Sequence, residues 1–276
     1  MLKQRVITAV ILVTGFLLLL FNTDALWFSL AVVPMVLLAG WEWSNLTVIR
    51  TSIGKFFYLL ALLLCLATAA LWLNLFDSLN VSRGQDFALL ASILWAVIFL
   101  WVQGYPSSAI LWSAKPVLAG LGLLLLTFTW LAISLILHLP DGQWLLLLAV
   151  GVVAVADIGG YVAGNLFVKH KLASVISPGK TWEGFLGGLF FQLILIAILL
   201  PLMPASVSIL SLLLLVIPVS LYSVLGDLFE SMLKRQQGVK DSSQILPGHG
   251  GVLDRIDGLM AALPLFALLF LLLSPL

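Results

Sequence analysis

The chain reads as an all-α integral membrane protein, a polytopic helical bundle of about nine transmembrane helices with its N-terminus in the cytoplasm. Three observations carry that reading. Of its 276 residues, 62% are hydrophobic and only 9% charged, against roughly 25% charged in a soluble domain. The apolar residues fall into nine runs near the length of about 20 residues that a helix needs to cross a bilayer. When these runs are threaded alternately, twelve of the thirteen Lys and Arg residues fall on one side and only Arg83 on the other. This is the positive-inside bias, and losing one span would scramble it.

The elements follow in order. Lys3 and Arg5 precede the first run, Val6–Phe21. They resemble the start of a signal peptide, but no small-residue cleavage site leads into a soluble domain, so a first membrane helix is expected. Asn22-Thr23-Asp24 is a tight turn into the second run, Ala25–Trp43, which closes on Trp41 and Trp43, rings suited to the interface, with Glu42 near the boundary. The third run, Phe56–Phe76, follows a loop with Arg50 and Lys55. A polar stretch, 77–86, leads to the fourth, Phe87–Val102. Beyond Gly104 and Pro106, residues 109–114 (AILWSA) are expected to lie along the interface. Lys115-Pro116 then opens the fifth run, Val117–Leu137. His138, Pro140, Asp141 and Gly142 close a short turn. The sixth runs from Trp144 to about Val162 and carries Asp157 near its end. The seventh, Phe185–Leu200, is broken by Pro201 and Pro204. The eighth reaches from near Val207 to Leu228, and the ninth is Leu259–Leu273.

This threading places two long polar loops, 164–183 and 229–257, together on the cytoplasmic face. The ionisable residues crowd into the C-terminal half, and no internal repeat with matching motifs is evident. Residues 1–143 are therefore expected to be membrane scaffold, and 144–276 a catalytic region with both loops. A net charge of +1 points to no nucleic-acid partner, and the single cysteine, Cys65, excludes an internal disulfide framework and is expected to be a buried, inert thiol.

Chemistry concentrates between Ser223 and Asp257, which hold five of the twelve acidic residues: Asp227, Glu230, Asp241, Asp254 and Asp257. Lys234, Arg235, Lys240, Arg255 and His249 sit among them. Ser223 and Asp227 share a helical face at i and i+4. Asp227 is either an ion-paired carboxylate or a metal ligand. Asp254 and Asp257, three apart, fall on one side if helical, and such hard oxygens suit Mg²⁺, which typically binds through one or two carboxylates plus substrate phosphates. Pro247, Gly248, Gly250 and Gly251 preclude a regular helix between them, and exposed N–H groups there could cradle phosphate oxygens. His249 is a phosphate or proton-transfer residue, or a structural one. In the other loop, Thr181 is a candidate helix cap. Lys180 with Thr181 could hold a nucleotide phosphate or, alternatively, meet anionic headgroups. Asp157 is a costly carboxylate in hydrocarbon, expected either at a polar cavity among Gly159, Gly160 and Gly164 or at the headgroup layer. Carboxylates, cations and flexible glycines without an obvious protein nucleophile suit phosphoryl or nucleotidyl transfer. A site where a membrane helix meets the cytoplasm implies one lipid and one water-soluble substrate.

These residues also carry a specific likeness. From Ser231 to Asp257 the chain reads S-x-L-K-R-x4-K-D-S-S-x2-L-P-x-H-G-G-x2-D-R-x-D, which resembles the signature of the phosphatidate cytidylyltransferases, also called CDP-diacylglycerol synthases. SxxGDLxES from Ser223, A-D-x-G-x-Y from Ala156 and S-P-x-K-T-W-E-G from Ser177 are similar to the same family, with Gly179 where a lysine is common. The likeness extends over essentially the whole chain. It implies a bacterial inner-membrane enzyme, facing the cytoplasm, that joins CTP and phosphatidate into CDP-diacylglycerol and pyrophosphate. It implies Mg²⁺ with a second cation, such as K⁺, at a centre of Asp227, Asp254 and Asp257. It implies Lys234, Arg235, Lys240 and Arg255 as binders of pyrophosphate or phosphatidate. Asp157, Lys180, Thr181, Ser223, Asp241, His249, Gly250 and Gly251 are the further residues expected to bind the nucleotide. A homodimer among membrane lipids is the expected assembly. Two alternatives are a CTP-dependent polyprenol or lipid kinase and a cation-coupled transporter. The product separates the first, since a kinase leaves CDP in solution. The cytoplasmic clustering of the carboxylates argues against the second, whose ion site belongs near the bilayer midplane.

Overall fold

The computed structural model describes residues 2–47, 49–167, 170–204, 207–246, 248 and 250–273, with side chains from Val6 onward. It is helical almost throughout: α1 (Leu2–Asn22), α2 (Ala25–Leu46), α3 (Ser52–Trp72), α4 (Val81–Gln103), a single turn α5 (Ala109–Trp112), α6 (Lys115–Leu137), α7 (Gly142–Leu166), α8 (Trp182–Leu199), α9 (Ile209–Gln236) and α10 (Leu253–Leu273). Between α7 and α8 lies an antiparallel hairpin, β1 (Lys171–Ala173) and β2 (Ser177–Thr181), pairing Lys171 with Thr181 and Ala173 with Ser177. Among the described residues, eight helices are long and apolar enough to cross a membrane, and Val6–Asn22 of α1 is a shorter apolar helix. The nine expected runs each form a helix.

The helix ends are set by caps rather than by the last apolar residue. Thr51, Asn80, Thr181 and Ser208 each accept a hydrogen bond from the backbone N–H three residues on, at 3.0–3.1 Å. Such a bond satisfies one of the donors that a helix start leaves free. The run expected to continue to Phe76 instead stops at Trp72. Asn74 adopts φ 55°, its N–H bonds to Leu71 O, and Leu75 N bonds to Ala70 O, a Schellman ending. The opposite correction applies to α9. It was expected to end near Leu228 but continues to Gln236, about 42 Å in all at 1.5 Å per residue. Phe229, Met232 and Leu233 bury one face of the extension. Gly238, at φ 69°, then closes it, with Val239 N bonded to Lys234 O. Helix α10 likewise begins at Leu253 rather than Leu259. The true polar return is 237–252, and Lys234, Arg235, Asp254 and Asp257 are all helical.

Indoles hold the bundle together. Trp43, Trp95, Trp112 and Trp130 are each 2% exposed or less. Trp43 Nε1 donates to Leu118 O at 2.8 Å, Trp95 Nε1 to Met260 O at 3.0 Å and Trp130 Nε1 to Ser29 O at 2.8 Å. These bonds tie α2 to α6 and α4 to α10. Trp43 was expected at the membrane interface. It lies instead in the core, where its ring and that of Trp95 flank Phe229 of α9. Trp41 is half-buried under the Lys55 ammonium, 5.2 Å from the ring centroid. Cys65 is half-buried rather than buried. Helix α6 is the most enclosed span, while α7 packs along α8 and α9 along α10.

The connections expected on the cytoplasmic side do meet at one end of the bundle. Arg235 Nε reaches Ile176 O at 3.2 Å, Tyr105 Oη reaches Gln236 Oε1 at 3.4 Å, and Ser242 and Ser243 reach Glu42. Lys169, one of the twelve one-sided cations, lies outside the described residues.

Candidate active site

Two polar clusters occupy that end. The first is an open cavity of about 310 Å³ between α7, α8, α9 and the hairpin, lined in part by Asp157, Tyr161, Lys180, Thr181, Ser220 and Asp227. Three elements deliver its charges. The hairpin carries Lys180 out over the end of α9, where its Nζ lies 2.6 Å from Asp227 Oδ2, with the two side chains 25% and 35% exposed. Ser231, one turn on from Asp227, donates to its Oδ1 at 3.3 Å. Asp157 enters from the middle of α7, not from its end. Asp257 stands beside this group because α9 and α10 touch backbone to backbone. A Cβ on Gly226 would overlap the Asp257 carbonyl oxygen, so only glycine allows this approach. Asp227 repels both Asp157 and Asp257, and Lys180 attracts both.

The second cluster is buried and closed. Lys234 pairs with Glu230, four residues before it, and its Nζ lies 2.7 Å from Asp254 Oδ1. Asp254 also accepts from Ser242 N, Ser242 Oγ (2.9 Å) and Gly251 N (2.8 Å). Beside it, Glu42 of α2, 0% exposed, accepts from Ser242 Oγ, Ser243 Oγ, Val252 N and Leu253 N. The glycine-rich return therefore does turn N–H groups inward, but the chain's own carboxylates already accept them. Gly250, at φ 82°, makes the reversal with Leu246 N donating to its carbonyl.

Next to the open cavity lies a larger, mainly apolar groove of about 680 Å³ between α4, α8, α9 and the hairpin. Leu172, Phe185 and Val224 line both spaces, so a polar cavity and an apolar groove share one wall.

The cytidylyltransferase family model matches residues 3–273. Over 98% of its length the chain is 40% identical to the phosphatidate cytidylyltransferase of Pseudomonas aeruginosa, covering 97% of that protein. It is 38% identical to the one from Haemophilus influenzae, with 97% of this chain and 98% of that protein aligned. The chain belongs to the cytidylyltransferase family. A half-length match, 50% identical over 131 residues, links it to the phosphatidate cytidylyltransferase of Staphylococcus haemolyticus.

Within this cytidylyltransferase the expected site residues divide. Asp157, Lys180, Thr181 and Asp227 come together at the open cavity, with Asp257 adjoining. Lys234 and Asp254 do not join them, because each is consumed in the closed cluster. Lys234 does not face Asp227, whose cation comes from the hairpin instead. Ser223 is buried and donates to Ser220 O at 2.8 Å, and it is Ser220 that lines the cavity. Gly251 packs on Glu42 and Ser242. Arg235, Lys240 and Arg255 are exposed, with Arg255 attracting Asp157. Asp241 is exposed at a separate cavity that Arg50 and Lys55 also line. His249 lies outside the described residues.

The donor set fits Mg²⁺ in one way. Among the described residues, no three His, Cys, Asp or Glu side chains gather closely enough to hold a metal by themselves. Asp227 and Asp257 offer the two carboxylates that Mg²⁺ commonly takes when substrate phosphates complete its shell. Asp254 is already engaged by the Lys234 ammonium, two backbone N–H groups and a share of the Ser242 hydroxyl proton. Three further residues, Tyr161 and Ser220 at the open cavity and Glu42 at the closed cluster, are not among the expected site residues. The signal for Glu42 is a carboxylate between two tryptophans in an apolar run, a pattern that also fits a helix boundary.

Thr181 is the cap that its position suggested. It is 4% exposed and joins the Lys180 strand to α8. Thr181→Ala is expected to cost about 1 kcal/mol, the loss of one N-cap. A melting temperature lower by roughly 2–4 °C in detergent checks this.

Proposed function

We propose that this chain transfers the cytidylyl group of CTP to phosphatidate, releasing pyrophosphate and leaving CDP-diacylglycerol in the membrane. The observation that carries the reading is the near full-length match at 40% identity to a phosphatidate cytidylyltransferase. A polar cavity that shares a wall with an apolar groove supports it, since the reaction joins a water-soluble nucleotide to a lipid.

In this reading a phosphate oxygen of phosphatidate attacks the α-phosphorus of CTP. A new bond forms between that oxygen and the phosphorus, the bond to the bridging oxygen breaks, and pyrophosphate leaves with the electron pair. The nucleophile is a phosphate monoester with a second pKa near ~6, largely deprotonated at neutral pH, so no side chain has to take a proton. The chain's task is to position anions against one another and offset their charge. Lys180 is placed to meet the triphosphate. An arriving phosphate competes with Asp227 for its ammonium, which frees Asp227 as that contact forms. Asp227 and Asp257 are the residues that would hold Mg²⁺, and the chemistry it would supply there is neutralisation of phosphate charge. Arg235, Lys240 and Arg255 offer further cations to the phosphates at the open end. The acyl chains are assigned to the groove, where Phe99, Tyr222, Leu225 and Leu228 present apolar surface. The one-sided Lys and Arg residues support a site on the cytoplasmic face of a bacterial inner membrane. A homodimer is the proposed assembly, to be read from the mass of the protein–detergent complex.

CTP labelled at the α-phosphate should transfer its label to lipid when phosphatidate and Mg²⁺ are supplied, with one pyrophosphate released per lipid product. Chelation of Mg²⁺ should stop turnover and its return restore it, and exchanging K⁺ for Na⁺ reads out the second cation. Label from the γ-phosphate on the lipid, with CDP in solution, would identify a kinase instead. Solute flux into proteoliposomes without nucleotide would identify a transporter.

A further inference from the structure

We infer that Glu42 is a positioning residue of this reaction: from α2 it ties the middle of the glycine-rich return to the start of α10, so that α10 presents Asp257 to Asp227. The inference rests on the assignment of that pair to the reaction centre. Glu42 Oε1 accepts from Ser243 Oγ at 2.6 Å and Val252 N at 2.9 Å, and Oε2 accepts from Leu253 N at 2.6 Å and Ser242 Oγ at 3.2 Å. Three full donors and a share of the single Ser242 hydroxyl proton, which also faces Asp254 Oδ2, surround the carboxylate. Two of the donors are amides at the start of α10, which a helix leaves without partners. The other two are hydroxyls in the middle of the return, six and seven residues past the end of α9. One side chain, some two hundred positions away in sequence, thus ties the middle of the return to its exit into α10.

The local packing leaves this arrangement no slack. A Cβ on Gly251 would meet Glu42 Oε1 at 2.5 Å. Among the described residues no cation pairs with Glu42, so its buried charge is held by hydrogen bonds alone, a costly arrangement for a position that merely needs filling. Elsewhere α3, α4, α8 and α9 are capped by a neighbouring Thr, Asn or Ser. At α10 the acceptor comes instead from another helix, which fixes where the helix sits as well as where it starts. Asp257 lies one turn beyond these anchored amides, and its carbonyl is the atom that Gly226 touches.

Glu42→Gln keeps the volume but points an NH₂ donor at groups that are themselves donors. In the purified full-length protein, kcat is expected to fall by about 10²-fold, as for an ångström-scale misplacement of reacting groups, with the KM for phosphatidate changed less than twofold. Amide hydrogen exchange at Val252 and Leu253 should quicken while α6 keeps its protection. Ser243→Ala removes one of the four donors and should lower kcat roughly fivefold, the equivalent of one hydrogen bond, with the same local change in exchange. This milder variant decides the matter if Glu42→Gln does not fold. Wild-type kcat in the folded Glu42→Gln protein overturns the inference, as does wild-type kcat in Ser243→Ala when Glu42→Gln is unfolded. A loss of protection spread through α4 and α6 also overturns it, by reducing Glu42 to a stability residue. Asp257→Asn is run alongside. Full activity there sinks the reaction-centre assignment, whereas an inactive Asp257→Asn beside a fully active Glu42→Gln sinks this inference alone.

Discussion

Replacing Asp227 by asparagine is expected to lower CTP turnover with phosphatidate by on the order of 10²–10³-fold, the range seen when one preorganised electrostatic group is removed from an active site, in a protein that still folds. The two halves of that expectation have separate causes. Asparagine has the same shape and keeps an oxygen for Ser231, but it loses the charge that holds Lys180 and would hold a metal. The fold should survive because the Lys180–Asp227 pair is a quarter to a third exposed, and pairs screened by solvent contribute about 0–1 kcal/mol. Phe229, two residues on, stays anchored between Trp43 and Trp95. Initial rates and a thermal melt on one purified sample separate the two effects. A near-normal rate would remove Asp227 from the centre.

A single methyl group at Gly226 should have an effect of similar size. Its nearest neighbours would be the Asp257 carbonyl oxygen, the Asp257 carbonyl carbon at 3.0 Å and Gly258 Cα at 3.1 Å. All are backbone atoms, so no rotamer change can relieve the contact and α9 and α10 must part. Overpacking of this kind costs about 1–3 kcal/mol, and an ångström of separation between the two carboxylates is expected to lower kcat by about 10²-fold. Gly151→Ala is the matched control, since a Cβ there meets nothing within 4 Å. Gly226→Ala with wild-type kcat would show that the spacing of the two helices does not matter to the chemistry.

The readings that survived and those that failed differ in range. Thr181 was legible as a cap because a cap bonds three residues away. The end of α9 was misplaced because polarity was taken as the stop, whereas nothing before Gly238 breaks the helix and Phe229, Met232 and Leu233 still had a face to bury. Asn74 ended α3 early by a local turn inside an apolar stretch, where hydropathy is blind. The phosphate-cradling reading of the glycine-rich return failed for a different reason. Its N–H groups turn inward rather than lying exposed, and Glu42, from the half of the chain expected to be scaffold, is one of the two carboxylates that fill them.

The sequence by itself determined which apolar runs become helices and which polar connections gather at one end of the bundle. Lipid permits few structures other than self-satisfied helices, and the run lengths and cation bias that express this are properties of neighbouring residues. Tertiary structure alone decided which charge meets which. Asp227 takes Lys180 from a hairpin rather than Lys234 from its own helix, Lys234 reaches across to Asp254 of α10, and Glu42 serves a loop two hundred residues later. Those choices depend on where packed indoles and close-set glycines bring separate helices together, and no spacing along the chain encodes that distance.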